Sequence, residues 1–285
     1  MAGSFLTQHV EMDFNPTRAI VHNEDCDIHY WYQGSGPLIV FVPGGNGHGL
    51  QYNAIMAKLS DRFTVATFDR RQMSASQTPN RRRLSPPQQA RDILAVMRAV
   101  GFETATIFGS SGGGILAFQF AHDFPQHAEH VIAHEAPTMV LVPDAAEWVD
   151  WLRDMLELRD REGFEAAQAE FNKILIGYDD EGVPPSALQG PENFENAWTN
   201  EVMVFSTYIP NLWRIKEQGT SIGLMRGVRS RDACYARAVE EQAKVLGCLK
   251  MDVPGHHQGF EAEVESFLPA FLEMLKQLDE RKRDK

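Results

Sequence analysis

The sequence predicts an α/β fold with a mostly parallel sheet of eight strands, helices on both faces and one helical insertion. Short, continuously apolar runs alternate with helical stretches, a pattern typical of parallel strands that are buried on both faces. The alternation lapses once, in a long interval that is rich in Trp and Phe. The composition, with 43% hydrophobic and 23% charged residues, is that of an ordinary globular protein.

The first predicted strands form an antiparallel hairpin within the first 36 residues, where short stretches of the chain alternate between apolar and polar residues. A Gly-Ser-Gly-Pro break at residues 34–37 ends the hairpin. The later strands are apolar runs, several of which end at glycine, proline or an acidic residue. They are predicted at residues 38–42, 63–68, 104–108, 130–134, 221–225 and 248–253.

Helices are predicted between several of these strands. Ser85 can cap a helix that ends before Gly101, and residues 112–124 are apolar on nearly all sides, as in a helix buried against a sheet. Ser266 can cap the final helix, which would place Pro269 in the tolerant first turn.

The interval of residues 142–218 is predicted to be a helical lid inserted into a core of residues 1–141 and 219–285. Its aromatic residues predict an apolar pocket for a bulky or aromatic substrate. Packing of the same side chains between lid and core is an equally good interpretation. The aromatic candidates for contact with substrate are Trp198, Tyr208 and Trp213.

A nucleophile elbow is predicted at residues 109–113, whose sequence Gly-Ser-Ser-Gly-Gly matches G-x-S-x-G between an apolar strand and an apolar helix. Such a turn lifts a serine Oγ out at the carboxyl end of the strand, and it needs small flanking residues because two backbones pass closely. A phosphate-binding loop would need GxxxxGK[ST], and no Lys is present. Ser111 is therefore the candidate nucleophile, and Ser110 lies outside the central position of the motif.

A base and an acid must accompany this serine, because a hydroxyl is a weak nucleophile until its proton is taken. The loop Pro-Gly-His-His-Gln-Gly at residues 254–259 supplies the base, for which we favour His257 over His256. For the acid we favour Glu135, which follows the strand after the elbow and so falls at the carboxyl edge of the sheet. Asp232 is the alternative acid, closer to the usual sequence position of this role.

An oxyanion hole is predicted from backbone N–H groups, one just after the nucleophile and one in the loop after an earlier strand. Gly112 supplies the first. The glycine-rich loop of residues 43–49 supplies the second, for which we favour Gly45, with Gly44 beside it as a further substrate contact. The same loop lacks the G-x-G-x-x-G spacing of a dinucleotide site.

Together these motifs resemble the α/β-hydrolase superfamily of serine hydrolases. Residues 43–47 resemble its oxyanion loop, and residues 109–113 resemble its elbow. Residues 69–76 resemble its D-x-x-G-x-G-x-S segment, except that Gln72 and Ser74 stand where that segment has glycines.

A narrower resemblance is to the fungal zearalenone lactonase group. It covers Val-Pro-Gly-Gly at residues 42–45, Phe-Asp at 68–69, His-Glu-x-Pro-Thr at 134–138 and Pro-Gly-x-His at 254–257. In that group the acid is a glutamate after the strand that follows the elbow, which implies Glu135 as the acid. The resemblance implies the fold and the triad of that group for this chain. Residues of the insertion do not match the substrate-contacting residues of the group.

Net charge and cysteine content limit the classes of binding partner and the cellular compartment that we expect for this protein. A net charge of −12 argues against nucleic acid, whose phosphates require clustered Lys and Arg. Three cysteines without metal-type spacing argue against a disulfide framework. No signal segment or long apolar run is apparent, so we expect a cytoplasmic protein with no membrane partner, a small-molecule substrate, no cofactor or metal, and possible homodimerisation.

The function predicted from these observations is hydrolysis of a carboxylic ester or lactone by Ser-His-Glu acyl transfer. Cleavage of a C–C bond by the same triad is an alternative. Epoxide or haloalkane hydrolysis is disfavoured because it usually uses Asp at the elbow position, where this chain has Ser111. A non-catalytic ligand-binding protein is the remaining alternative, and the presence of a nucleophile, a base and an acid argues against it.

Overall fold

A computed structural model of the protein describes residues 14–45, 47–183 and 191–284. Eight strands form one sheet in the order β1-β2-β4-β3-β5-β6-β7-β8. The strands are β1 (Thr17–Asn23), β2 (Cys26–Gln33), β3 (Leu38–Val42), β4 (Thr64–Phe68), β5 (Ala105–Ser110), β6 (Ala128–His134), β7 (Ile222–Gly227) and β8 (Leu249–Val253). The predicted eight-stranded α/β fold is therefore confirmed.

Eleven α-helices lie along the described residues. They are α1 (Asn53–Leu59), α2 (Pro86–Val100), α3 (Gly112–Asp123), α4 (Ala145–Glu162), α5 (Phe164–Asn172), α6 (Pro191–Asn196), α7 (Val202–Thr207), α8 (Leu212–Glu217), α9 (Cys234–Leu246), α10 (Gly259–Ala262) and α11 (Val264–Arg283). One π-helical turn, Ala197–Glu201, joins α6 to α7.

The sheet is antiparallel at one edge and parallel elsewhere. The predicted hairpin is present, with β1 and β2 paired from Thr17↔Tyr32 to Asn23↔Cys26. β2 then pairs antiparallel with β4. All further pairs are parallel, so the carboxyl ends of β3, β5, β6, β7 and β8 share one edge. Turns that follow these strands are the places where catalytic groups can meet.

Alternate residues of β3 show how both faces of the sheet are buried. Val40 and Val42 belong to the core that includes α2 and α3. Ile39 and Phe41 belong to the opposite core, which includes α1 and α11. Successive side chains of a strand point to opposite faces, so a fully apolar run is what a doubly covered strand requires.

The interval without strands, between β6 and β7, contains α4 to α8. Of these helices, α4 contains Trp148 and α5 begins at Phe164. These helices have a small core of their own, in which Met155, Ala167 and Trp198 are buried.

The final helix differs from its prediction. α11 begins at Val264, so Ser266 lies inside it and its Oγ donates to the Glu263 carbonyl instead of capping the helix. Pro269 consequently falls within the helix, beyond its first turn. The short α10 lies immediately upstream, and the cap position falls at Glu263, three residues before the predicted cap.

Two further features bear on the expectations from composition. The three cysteines, Cys26, Cys234 and Cys248, are free thiols. Within the described ranges, no helix is both long enough and apolar enough to cross a membrane.

Candidate active site

A cavity of about 950 Å³ lies at the carboxyl edge of the parallel strands. Gly44, Ser111 and His257, which follow β3, β5 and β8, contribute to its lining. Helices between β6 and β7 contribute apolar walls. Its aromatic lining includes Trp151, Phe171, Tyr178, Phe194, Trp198, Phe205, Tyr235 and Phe260. A cavity of this size and character suits a bulky apolar small molecule.

Ser111 occupies the turn between β5 and α3. Its φ of 56° and ψ of −131° are strained for a residue with a side chain, which is the backbone expected of a nucleophile elbow. Two hydrogen bonds hold the turn: the Ser111 N–H donates to the His134 carbonyl at 2.9 Å, and the Gly114 N–H donates to the Ser111 carbonyl at 2.8 Å.

The glycines of the elbow are required by the closeness of neighbouring backbones. A Cβ on Gly109 would lie 2.1 Å from the Gly113 carbonyl oxygen. A Cβ on Gly113 would lie 2.1 Å from the Val42 carbonyl oxygen. Both distances are much shorter than a van der Waals contact, so a larger residue at either position would displace Ser111.

Glu135 and His257 form a hydrogen-bonded pair next to the elbow. His257 Nδ1 lies 2.8 Å from Glu135 Oε2. The carboxylate also accepts the Gly227 N–H at 2.8 Å and the Ser230 hydroxyl at 3.0 Å. With its Nδ1 bound in this way, the His257 ring is held in one orientation by Glu135, and this bond leaves its Nε2 unoccupied.

Glu135 is an ionised carboxylate in a buried site. Burial alone would raise its pKa, but the hydrogen bond from His257 and the nearby imidazoles lower the pKa below the ordinary value. Its side chain is 0% exposed, and its φ of 47° places it in the left-handed region. A buried, charged and backbone-strained residue is characteristic of functional sites.

Ser111 and His257 line the same cavity. Among the described residues, no hydrogen bond joins Ser111 Oγ to the His257 ring. Catalytic contacts of this kind are often long without substrate and tighten in the substrate complex.

The alternative base and acid lie elsewhere. His256 is buried outside the cavity lining, stacks on Tyr178 with ring centroids 4.0 Å apart, and accepts the Gln258 N–H at Nδ1. Burial lowers the pKa of His256 to about 4, which keeps this ring neutral. Asp232 is exposed, and only its backbone carbonyl is engaged, by Arg237. The structure thus brings Glu135, not Asp232, to the histidine loop.

The predicted oxyanion residues border the same cavity. Gly44, Gly45 and Gly112 all line it. A Cβ on Gly44 would lie 3.0 Å from the Ser111 Cβ, so the loop after β3 passes directly against the elbow. Asp69 supports this loop by accepting the Gly49 N–H at 3.0 Å.

The two departures from the D-x-x-G-x-G-x-S pattern fall at positions with left-handed backbone. Gln72 has a φ of 69° and Ser74 a φ of 45°, conformations that glycine adopts without strain. Both residues are held by hydrogen bonds. The Gln72 Nε2 donates to the Arg82 carbonyl at 2.8 Å, and the Ser74 N–H donates to Asn193 Oδ1 at 2.6 Å.

Of the three aromatic candidates, only Trp198 lines the cavity. Tyr208 instead donates its hydroxyl to Gln119 of α3, so it packs between helix and core. Trp213 is 55% exposed because α8 buries its neighbour Leu212, which leaves Trp213 on the outer side of the helix. The structure therefore places neither Tyr208 nor Trp213 in the cavity lining.

Three residues of this region escaped prediction from the sequence. Tyr235 packs on the His257 ring with centroids 4.1 Å apart. Arg70 and Glu201 form a fully buried ion pair beside the oxyanion loop, at 2.6 Å. The charged sequence Asp-Arg-Arg at residues 69–71, directly after the buried strand β4, was a signal, because all three side chains are buried and buried charges require partners.

A cluster with metal-ligand chemistry occurs at the other end of β6. Possible ligand atoms of Glu129, His130 and Asp279 all lie within 4.8 Å of one another. His130 bonds Ser221 Oγ at 2.8 Å and Asp279 at 3.1 Å, while Lys282 pairs with Glu129 at 2.6 Å. Hydrogen bonds and ion pairs within the protein therefore account for this cluster.

The fold and the elbow define a class of enzymes, the α/β hydrolases, and comparison with known proteins agrees. Residues 37–209 match the family model described as alpha/beta hydrolase fold, and the chain belongs to that family. The recognition of this fold from sequence motifs is confirmed.

Individual relatives support hydrolase activity. The chain is 24% identical over 269 residues to YraK, an uncharacterized hydrolase of Bacillus subtilis, covering 88% of this chain and 93% of that protein. It is 30% identical over 129 residues to a zearalenone hydrolase of Cladophialophora bantiana, covering 42% of this chain and 46% of the relative. A thermophilic esterase from Thermogutta terrifontis shares the fold, with a TM-score of 0.73, 18% identity and coverage of 92% and 99%.

Proposed function

We propose that the protein is a serine hydrolase that cleaves a carboxylic ester or lactone, with Ser111 as nucleophile, His257 as base and Glu135 as acid. One observation carries the proposal. A serine on a strained elbow borders the same cavity as a histidine whose Nδ1 is bound to a fully buried carboxylate. These are the geometric roles that acyl transfer requires.

The first step of the reaction forms an acyl-enzyme. His257 Nε2 takes the proton of Ser111 Oγ as this oxygen attacks the substrate carbonyl carbon. The negative charge that develops on the carbonyl oxygen is stabilised by the N–H groups of Gly45 and Gly112. When the tetrahedral intermediate collapses, the carbon–oxygen bond to the leaving group breaks, and the imidazolium protonates the departing alkoxide.

The second step returns the free enzyme. His257 takes a proton from water, whose oxygen attacks the acyl carbon, and the imidazolium then returns a proton to Ser111 Oγ as the ester bond breaks. Glu135 stabilises the imidazolium in both steps without accepting its proton. The products are an alcohol and a carboxylic acid, which a lactone carries on one molecule.

The cavity suits a bulky substrate that carries no negative charge. Its aromatic walls and volume of about 950 Å³ favour an apolar or aromatic molecule. No Lys or Arg side chain lines it within the described part of the chain. The name of the Cladophialophora bantiana relative makes zearalenone a reasonable member of the substrate panel.

The test uses an organophosphonate probe and a panel of aryl esters and macrocyclic lactones. We expect the wild type to be labelled at Ser111 and to hydrolyse at least one bulky member, and Ser111→Ala to do neither. Product analysis separates ester cleavage from cleavage of a C–C bond in a diketone. A folded wild type that binds a panel member but is neither labelled nor active would instead support a ligand-binding role.

A further inference from the structure

Arg70 is a fully buried arginine that the proposed reaction does not use. It follows β4, and its side chain is 0% exposed. Its guanidinium donates to the Gly44 carbonyl from Nε at 3.1 Å and from Nη2 at 2.9 Å. The other contacts run to Glu201, from Nη1 at 2.9 Å and from Nη2 at 2.6 Å. Arg70 therefore joins the oxyanion loop to the π-helical turn between α6 and α7.

This contact has a geometric consequence for the oxyanion hole. The Gly44 carbonyl and the Gly45 N–H belong to one trans peptide, in which the two groups point in opposite directions. The Gly44 carbonyl also accepts the Gly47 N–H at 3.0 Å, so two donors hold it. Because Arg70 bonds the carbonyl on one side, the Gly45 N–H is directed away from Arg70. No acceptor for the Gly45 N–H is found among the described residues. Within that part of the chain the donor has no acceptor, and its direction is held by the guanidinium together with the Gly47 N–H.

The other predicted donor is also connected to Arg70, through Phe205. The guanidinium carbon lies 5.3 Å from the centre of the Phe205 ring, within the range of a cation–π contact. The same ring packs on Gly112, since a Cβ there would lie 2.8 Å from its atoms. One guanidinium consequently contacts the surroundings of both donors, and both Glu201 and Phe205 belong to the helical interval between β6 and β7.

A buried ion pair of this kind is weak as a stabilising device, because an apolar pair of similar volume is often as stable. Its value here lies in orientation. The planar fork of an arginine can hold a carbonyl and a carboxylate at once, which a lysine ammonium cannot do in the same geometry.

We propose that Arg70 is a positioning residue. Through its pairing with Glu201, it couples the docking of the helical interval between β6 and β7 on the core to the direction of the Gly44–Gly45 peptide. The oxyanion hole is then fully formed only when Glu201 is docked on the core. This inference rests on the proposed acyl-transfer reaction.

The experiment compares Arg70→Lys with Arg71→Lys, using a 4-nitrophenyl ester with a bulky acyl group. Arg71 is the matched control, a neighbouring arginine that is buried and paired with Asp92 at 2.7 Å and does not line the cavity. We expect Arg70→Lys to lower kcat by about 10- to 100-fold with KM within about threefold, since a misdirected donor loses part of the effect of a missing one. Arg71→Lys should retain kcat within about threefold, because Arg71 does not contact the loop that carries the Gly45 donor.

Two measurements separate positioning from general damage. Binding of an arylboronic acid, whose adduct with serine resembles the tetrahedral intermediate, should weaken in parallel with kcat, while thermal unfolding stays cooperative. The double variant Arg70→Met/Glu201→Leu replaces the pair by apolar residues and should show the same loss of kcat. If that protein does not fold, Glu201→Gln takes its place, with an expected loss of kcat of at least about fivefold.

The outcomes are distinguishable. Folded Arg70 variants that keep wild-type kcat and boronate affinity would overturn the role of Arg70 and leave the proposed reaction intact. A loss of kcat of the same size in Arg71→Lys would also overturn it, because the effect would then be general. A wild type that is neither labelled by phosphonate nor active would overturn the reaction itself, and this inference with it.

Discussion

Two regions of the molecule each bring a serine, a histidine and a carboxylate together, at opposite ends of β6. At the amino end, Ser221 Oγ lies 2.8 Å from His130 Nδ1, and His130 Nε2 lies 3.1 Å from Asp279. By hydrogen-bond connectivity alone, this row would pass for a catalytic triad.

The group at the carboxyl end, Ser111, His257 and Glu135, is different, because only its histidine and its carboxylate are hydrogen-bonded to each other among the described residues. Its surroundings differ as well. Glu135 is 0% exposed and has two further donors, whereas the Asp279 side chain is 52% exposed. Ser111 sits on a strained turn at the start of a helix and borders a large cavity, whereas Ser221 directly precedes a strand and is not part of that cavity. We therefore expect strain, burial, oxyanion donors and space for substrate to mark a reactive site better than a complete row of hydrogen bonds does.

The largest contrast is expected from removing each serine hydroxyl. Ser111→Ala should lower kcat on a bulky aryl ester by at least about 10⁴-fold, because the nucleophile is lost. Ser221→Ala should retain kcat within about twofold, since its hydroxyl only bonds a structural histidine. Steady-state kinetics of both purified variants measure the effect. An equal loss of kcat in the two variants would contradict the assignment of Ser111, and not Ser221, as the nucleophile.

Neutralising each carboxylate gives the next largest contrast. Glu135→Gln should lower kcat by about 10³- to 10⁴-fold, because the amide no longer stabilises the imidazolium and favours the wrong tautomer of His257. Asp279→Asn should have little effect on kcat. Asp232→Asn serves as a further control, and a larger loss in that variant than in Glu135→Gln would transfer the acid role to Asp232.

A histidine next to the active row should make stability depend on pH. Burial lowers the pKa of His134 from its ordinary value of 6.5 to about 4, although the charge of Glu135 acts to raise it. Between those two pH values the unfolded chain binds more protons than the folded protein, so the free energy of unfolding falls as the pH is lowered through this window.

The measurement is urea unfolding at pH 7.5 and at pH 4.5. The His134 contribution to the difference in free energy of unfolding should be about 2–3 kcal/mol, and His134→Gln should reduce the difference by that amount. A variant with the same pH dependence as the wild type would show that His134 titrates normally in the folded protein.

Local patterns explain how much of this site was predictable. The elbow, the histidine loop and the glutamate after β6 are each encoded within a few consecutive residues, because each is a turn directly after a strand. Parallel strands then bring such turns to one edge regardless of how far apart they lie in the chain.

What could not be predicted depends on contacts between distant segments or on the direction of a side chain. Arg70 and Glu201 are 131 positions apart, and neither lies in a motif that names the other. The start of α11 depended on a short helix just before it. The positions of Tyr208 and Trp213 outside the cavity lining were not predictable, because an aromatic residue near a short helix fits a core, a cavity or a surface equally well until the helix is packed.

The smallest expected effect concerns the aromatic wall and separates Trp198 from Trp213. Trp198 lines the cavity, is only 3% exposed, and donates its Nε1–H to Gln168 Oε1 at 3.0 Å. Trp213, in contrast, is 55% exposed. Trp198→Leu should raise KM about tenfold for a bulky aryl ester and much less for the acetate ester of the same alcohol, because only the larger acyl group reaches this wall. Trp213→Leu should leave both values unchanged. If KM rose equally for the two esters in Trp198→Leu, the tryptophan would act through the stability of the helices rather than by contact with the substrate.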